Sequence, residues 1–385
     1  MTGAYMVGID MIPFGRYPNR TVAELGAEAV LLALDDAPPL RIGDIEAVYC
    51  GNQLQAHAMV GQQVMRQVGE TGVPVVNVAN ACASGATAFR EACLMVRAGL
   101  YDLVLALGVE SMGRGLLETP RRNEDFAEEG VVGSLTTPAM FAQIGVAHQL
   151  RYGTTVEQFA RVAVKNHHHA TLNPKAFSRR ETPLSEVLAS EMIAYPNTKL
   201  MCSMNVDGAA AAVVASEAAV RRWGLGARAV RVRASALTSN RFTPHEDALT
   251  DFSQVTRDCA RRAYEEAGVG ASDMDLVELH DCFATAELVH YENLGLCAEG
   301  EAGALIDSGA TAIGGRTPVN LSGGLLSKGH PLGATGIANL YEAALHLRGE
   351  AGERQVEGAR LAMTHVVGGL PDIGSACAIH ILERA

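Results

Sequence analysis

No stretch of the sequence reaches the roughly 18 to 20 uninterrupted apolar residues that a membrane span needs. The N-terminus, MTGAYMVGIDMIPFGR, lacks the basic-then-apolar order of a signal peptide, and the C-terminal AIHILERA carries no peroxisomal or retention tripeptide. These absences predict a cytoplasmic protein with no membrane association. There is no surplus of positive charge either: 31 Lys and Arg stand against 43 Asp and Glu, a formal charge of -12. That balance excludes general nucleic-acid binding while leaving room for a local basic patch against a phosphorylated ligand. Short CxxC spacings are also missing. The eight cysteines, at 50, 82, 93, 202, 259, 282, 297 and 377, are too scattered for a disulfide scaffold or a zinc ribbon, so most are expected to be buried, inert thiols. Aromatic residues make up only 5% of the chain, with a single Trp.

What is present is apolar and rich in glycine. With 385 residues, 48% of them hydrophobic, 19% charged and 40 of them Gly, the chain can build a large core, and the composition fits an α/β protein of two or three compact units with tight turns. An internal repeat organises it, its copies beginning near residues 21 and 252. In the first copy a helical pattern (21–37) precedes the strand-like IEAVYCG (45–51); in the second, FSQVTRDCARRAYEEAG (252–268) precedes MDLVELHDC (274–282). Further on, Cys82 is followed three residues later by Gly85-Ala86-Thr87, and His330 three residues later by Gly333-Ala334-Thr335. Each motif opens a predicted helix that leads to an apolar strand, DLVLALGVE (102–110) or ARLAMTHVVGG (359–369). Two readings are open: pseudo-twofold halves that bring Cys82 and His330 to a shared centre, or a short motif serving only helix-start chemistry.

Between the halves lies a segment of about 115–204, containing RRNEDFAEEG, the run Asn166-His167-His168-His169, and NPKAFSRRETP. It reads as an insertion forming a cap. DGAAAAVVASEAAV (207–220) then reads as a strand returning to the first half. The predicted division is residues 1–114 with 205–235 for the first half, 115–204 for the inserted loop domain, and 236–385 for the second half.

Three motifs carry chemistry. NACASG (80–85) puts Cys82 on a tight turn where backbone N–H groups and a helix N-terminus would stabilise a thiolate; the alternative is a small residue buried at a crowded turn. Gly329-His330-Pro331 holds an imidazole in a stiff loop, either for catalysis or to satisfy a buried turn. His280-Asp281-Cys282-Phe283 follows the strand DLVEL, which places His280 and Cys282 on one side if the extended geometry persists, as chemistry or as core filling. The three consecutive histidines, 167 to 169, have no convincing metal-ligand partners and read as polar cap residues.

Taken together and in order, NACASG, HDCF and GHPLGATG resemble the thiolase superfamily, specifically its sterol-carrier-protein-2-type branch. The resemblance spans nearly the whole chain, including KNHHHATLNPKAF in the cap and the closing THVVGGLPDIGSACAIHIL. It implies a thiolase fold: two pseudo-symmetric βαβαβαββ halves in a five-layered αβαβα arrangement with an inserted loop domain. It also implies an acyltransferase that cleaves a 3-ketoacyl-CoA, or runs the reverse Claisen condensation, with Cys82 as nucleophile, His330 as its base, and His280 and His330 around the thioester oxygen. Backbone N–H groups of Cys82 and of the Gly368-Gly369 loop would form the oxyanion hole. Many thiolases carry a second catalytic cysteine in a Cys-x-Gly motif, where this chain reads Val366-Val367-Gly368. In the branch it resembles, the cysteine of HDCF takes that acid/base role, which falls here to Cys282, while Cys377 lies in the closing strand.

No metal and no bound cofactor follow from the resemblance; acyl-CoA and coenzyme A are substrates. A homodimer or tetramer is expected, with a small zinc-ribbon/OB-fold subunit as a further partner. Bulky or aromatic acyl groups fit the branch. The rival readings are a thiolase-like carbon–carbon lyase or retro-aldolase, and a noncatalytic acyl-CoA or lipid carrier or scaffold.

Overall fold

A computed structural model describes residues 3–113, 137–241, 252–370 and 374–385. The RRNEDFAEEG run lies outside them. The first half contains β1 (Ala4–Met11), α1 (Val22–Asp35), β2 (Ala47–Gly51), α2 (Val60–Val68), β3 (Val75–Val78), α3 (Ser84–Arg97) and β4 (Leu103–Glu110). The insertion follows with α4 (Thr137–Tyr152), α5 (Val156–Thr171), α6 (Leu184–Ala189) and the small hairpin β5 (Met192–Ala194) and β6 (Asn197–Thr198). The chain then returns through β7 (Gly208–Ser216) and α7 (Glu217–Trp223). The second half holds β8 (Val230–Ser239), α8 (Ser253–Ala267), β9 (Leu276–Glu278), α9 (Ala284–Asn293) and α10 (Ala302–Asp307), and closes with α11 (Gly324–Ser327), α12 (Thr335–Arg348), β10 (Leu361–Leu370) and β11 (Gly374–Arg384).

Local signals set several of these boundaries. At the start of α1, Thr21 Oγ1 accepts from Glu24 N–H (3.2 Å) while the Glu24 carboxylate accepts from Thr21 N–H (2.7 Å), a reciprocal cap that satisfies two helix-end donors. The strand expected over 207–220 is shorter than its apolar composition implies. Ser216 Oγ accepts from Ala219 N–H at 3.0 Å and starts α7, because a serine ahead of good helix formers can satisfy an otherwise unpaired helical N–H.

Among the described residues, nine strands form one sheet in the order β3-β2-β4-β7-β1-β8-β11-β10-β9. Its two arms repeat each other. In the first, β2 is parallel to β3 and β4, β4 is antiparallel to β7, and β7 to β1. In the second, β9 is parallel to β10 and bridges Val319 in parallel, β10 is antiparallel to β11, and β11 to β8. The arms join where Tyr5 faces Arg231 and Met6 faces Val230. Strand β8 crosses residues 235 and 236 and pairs along its length with β11, so we propose grouping all of it with the second half.

Side-chain alternation produces the layers. Val7, Leu105, Leu107, Ala211 and Val213 pack beneath α1 and α2, against Leu25, Val30 and Val64. Their neighbours Met6, Ile9, Val104, Ala106, Ala212 and Val214 point the other way, onto Ala88, Phe89 and Ala92 of α3 and Ile337, Leu340 and Ala344 of α12. The second arm covers the same two helices with Val232, Leu276 and Ala362 and turns Ala234, Met363, Ile379 and Ile381 outward to α8 and α9. The result is αβαβα, with α3 and α12 as the central layer.

The repeated Gly-Ala-Thr gains a steric meaning at this layer. A Cβ on Gly85 would run into the Gly333 carbonyl oxygen, and one on Gly336 into Ala86 N, so the two central helices meet backbone to backbone. The described part of the insertion shares its core with the second half: Phe141, Phe159, Val162, Val187 and Met201 pack with Val255, Cys259 and Leu288. Among the described residues, no helix is long and apolar enough to cross a membrane.

Candidate active site

Cys82 sits on the turn between β3 and α3. Ala81, just before it, has φ 49°, and the turn is tied by Ala83 N–H to Asn80 O (2.9 Å), by Ser84 Oγ donating to Ala81 O (2.7 Å) and by Asn80 N–H donating to Ser84 Oγ (2.8 Å). A left-handed residue ahead of a helix start turns the next side chain away from the strand direction. Burial pushes the Cys82 thiol up to about 12, helped by the charge of Glu110 and opposed by the thiol's own backbone N–H. Desolvation thus opposes the stabilisation that the backbone N–H groups of this turn offer a thiolate.

The same device recurs in the second half. Gly329, at φ 108°, precedes His330, and a Cβ on it would meet the Val206 side chain at 2.5 Å. His330 N–H is anchored on Met204 O at 2.9 Å. The Thr335 hydroxyl donates to Pro331 O (2.9 Å), so its oxygen accepts from His330 Nδ1–H at 2.8 Å. That hydrogen bond sets the tautomer and leaves Nε2 as a bare lone pair, 3.2 Å from Cys82 Sγ. Thr87 mirrors Thr335: it donates to Ala83 O and accepts from Asn80 Nδ2. Burial, with the Lys328 charge adding, pulls the His330 imidazole down to about 3, so it rests neutral.

His280 completes the cluster. Its ring stands edge-on to His330 at 5.3 Å between centroids, and Cys82, His280 and His330 each bring a donor atom within 4.8 Å of the others. Burial holds His280 well below the usual imidazole range, reinforced by His330, His365 and His290. The strand β9 itself stops at Glu278, and the HDCF turn is held instead by Asp281, which accepts from Leu325 N–H (2.7 Å), Leu326 N–H (3.3 Å) and Asn166 Nδ2 (2.7 Å). Cys282 is buried, and its thiol is pushed well above its usual range by burial, then by charge on Cys82 and on Asp281.

Strand β10 brings its glycines differently to the site. A Cβ on Gly368 would lie 2.5 Å from Asn80 O and 2.7 Å from Cys82 N and Ala83 N, so only glycine lets this strand approach the nucleophile's turn. Gly369, at φ 95°, packs its α-carbon against Gly374 in the β10–β11 hairpin. Val366 sits with Ala83 and Ala86 beside Cys82, and Cys377 is fully buried on β11.

Several supporting residues carried no motif in the sequence. Glu110 accepts from Asn52 Nδ2 (2.9 Å), Leu54 N–H (3.0 Å), Gln53 N–H (3.0 Å) and Gly333 N–H (3.0 Å), clamping the His330 segment to the loop after β2. Gln53 in turn accepts from Ala81 N–H at 2.8 Å. Lys165 and Asn166 of α5 reach Glu287 (both 2.6 Å), tying the insertion to α9. The three histidines of that run are the last turn of a helix. His167 bonds Thr182, His168 pairs with Glu181 at the surface, and His169 bonds Asn320 O and Ile313 N–H.

Comparison with known proteins places this architecture. The chain matches the thiolase N-terminal domain over residues 4–185 and the thiolase C-terminal domain-like family over 234–384. It is 37% identical over 394 residues to an acetyl-CoA acetyltransferase of Methanothermobacter thermautotrophicus, covering 100% of both chains. The chain belongs to the thiolase superfamily. Within it the sterol-carrier-protein-2-like branch is supported by sterol carrier protein 2 of Bos taurus, 38% identical over 396 residues covering 98% of this chain and 72% of that protein. A benzoylsuccinyl-CoA thiolase subunit BbsB of Thauera aromatica is 34% identical over 369 residues, 95% of this chain and 94% of that one. Among solved structures, an Ltp2-ChsH2(DUF35) aldolase superposes with TM-score 0.83 at 26% identity, covering 99% of this thiolase chain and 97% of that chain. Human mitochondrial 3-ketoacyl-CoA thiolase in complex with CoA shares the fold at TM-score 0.74 and 18% identity, covering 100% and 98%.

Proposed function

We propose that this thiolase-family acyltransferase cleaves a 3-ketoacyl-CoA with coenzyme A, or forms it by the reverse condensation, through an acyl group on Cys82. The observation that carries this reading is the 3.2 Å approach of the bare His330 Nε2 to Cys82 Sγ, with Nδ1 engaged by Thr335. A neutral imidazole lone pair against a neutral thiol is a base ready to take one proton as sulfur attacks the ketone carbon. The tetrahedral oxygen would be met by Cys82 N–H and by an N–H of the Gly368-Gly369 segment. Collapse leaves the acyl group on Cys82 and an enolate on the departing thioester. His280 and His330 donate to that enolate oxygen, and Cys282, a thiol that holds its proton, protonates the carbon. Cys282 then takes the proton of incoming coenzyme A, whose sulfur removes the acyl group.

A panel of aliphatic and aromatic 3-ketoacyl-CoA substrates tests this, with product thioesters followed with and without added coenzyme A. Cleavage that requires coenzyme A is the expected result; cleavage without it moves the chain to the lyase reading, which the aldolase superposition at TM-score 0.83 favours. Failure of every substrate, with no acyl-enzyme, would leave a carrier or scaffold. The benzoylsuccinyl-CoA relative directs the panel towards aromatic acyl groups.

Gly368→Ala gives a second test. The added methyl meets backbone atoms of the Cys82 turn at 2.5 to 2.7 Å and would push β10 off the nucleophile, so kcat should fall by roughly 10²–10³ and stability by about 1–3 kcal/mol. Wild-type kcat in this variant would rule the strand out as an oxyanion donor.

For partners, we propose a homodimer through the β3 edge of the sheet, where Val76 is 44% exposed on a strand paired on one side only. A small zinc-ribbon/OB-fold subunit is the second proposal, supported by the DUF35 chain in the aldolase complex. Cytoplasmic placement remains part of the proposal.

A further inference from the structure

The cluster that serves the proposed chemistry is also a ligand set. We propose that Cys82, His280 and His330 bind one thiophilic divalent cation of the Zn²⁺ class, and that this ion silences the nucleophile. The inference rests on the donor geometry and holds whichever acyl-CoA reaction the site performs.

Among the described residues, these three form a convergence of thiol and imidazole donors within 4.8 Å of one another. With Zn–S near 2.3 Å and Zn–N near 2.0 Å, tetrahedral donors sit roughly 3.5 Å apart. The 3.2 Å between His330 Nε2 and Cys82 Sγ already meets that spacing, and His280 has to close by about an ångström. The outer support of a metal-binding histidine is in place as well: His330 gives its Nδ1–H to Thr335, which fixes the ring and presents the other nitrogen as a lone pair. His280 is 2% exposed, and its Nδ1 has no hydrogen-bond partner among the described residues, so it is a buried donor atom that a ligand could satisfy. One thiolate and two imidazoles select Zn²⁺, Cd²⁺ or Co²⁺ over Mg²⁺ or Ca²⁺, and a fourth position stays open for water.

The balance is simple. The S–H bond of Cys82 breaks, its proton leaves to solvent, and the sulfur pair forms the bond to the metal, so one proton is released per ion bound. The same pair is then unavailable to attack a ketone. The histidine-rich turn of α5 does not compete: both ring nitrogens of His169 and Nδ1 of His167 are engaged, which leaves His168 at the surface with Glu181.

The test is to titrate the metal-free full-length protein with Zn²⁺ against a chromophoric chelator, and with Co²⁺ by absorption. The expected result is one ion per chain with Kd tighter than about 10 µM, a thiolate-to-Co²⁺ charge-transfer band and one proton released. Iodoacetamide should fail to label Cys82 until a chelator is added. Cys82→Ala and His280→Ala should each weaken binding at least about 100-fold, while His168→Ala binds as the wild type. Binding weaker than about 10 µM, a Co²⁺ complex without the thiolate band, or wild-type affinity in either ligand variant would overturn the proposal. Should a ligand variant fail to fold, the Co²⁺ band and proton count on the wild type decide the matter alone.

Discussion

Cys82→Ala should abolish both turnover and the covalent acyl adduct, a loss on the order of 10⁴-fold or more, because no other described nucleophile faces the His330 lone pair. Cys282→Ala should behave differently. It removes the acid that protonates the departing carbon, so turnover falls by roughly 10²–10⁴ while iodoacetamide still labels Cys82. Intact-protein mass spectrometry after exposure to substrate separates the two. Equal loss of labelling in both variants would merge the two cysteines into one structural unit and sink the division of roles. The protonation states add a pH signature. Burial raises Cys82 to about 12 and lowers His330 to about 3, so the pair is neutral between those limits. The labelling rate of Cys82 in the free enzyme should therefore keep rising with pH through the alkaline range. A plateau reached below neutrality would mean a standing thiolate–imidazolium pair instead.

Glu110→Gln should cost about 2–4 kcal/mol of stability and slow turnover as well. The carboxylate is fully buried, and its oxygens take hydrogen bonds from three backbone N–H groups and one side-chain amide. A glutamine amide nitrogen cannot accept, so two of those donors would face another donor in a dry site. Because Gly333 lies beyond His330 and Gln53 holds Ala81 before Cys82, the damage reaches both halves of the nucleophile pair. Burial raises Glu110 to about 7 against the pull of its donors. A carboxyl raised in the folded state contributes stability that is complete below the unfolded value near 4.5 and is lost as pH rises through about 7. That slope amounts to about 3 kcal/mol and should vanish in the glutamine variant. Urea unfolding of both proteins at pH 5 and pH 8 measures it. Parallel pH dependence in the two would show that Glu110 does not titrate in this window.

The order of helices and strands was legible because hydrophobic period and caps are local properties. Strand β4 and helices α1, α3, α8 and α12 fall where periodicity puts them, and the repeat of Gly85-Ala86-Thr87 in Gly333-Ala334-Thr335 marks two equivalent helix starts. The end of β7 is not legible in the sequence, because alanine and valine fit strand and helix alike and only the fold shows Ser216 capping the next turn.

Legible in the sequence alone are the α/β composition, the repeated Gly-Ala-Thr, the placing of Cys82, His280, Cys282 and His330 at element ends, and the lack of any disulfide or zinc-ribbon spacing, whereas the two matching arms of the sheet are visible only in the fold. Tertiary structure alone decided the rest. The meeting of Cys82 with His330 across 248 residues, the tautomer set by Thr335, and the neutral state of both groups depend on which backbones can touch and how much water is excluded. Glu110 shows this most clearly: nothing in GVESMG distinguishes it from a surface glutamate until folding delivers donors from residues 52, 53, 54 and 333 to one buried carboxylate. Local pattern is carried by neighbours in the chain, whereas charge state and catalytic geometry belong to neighbours in space.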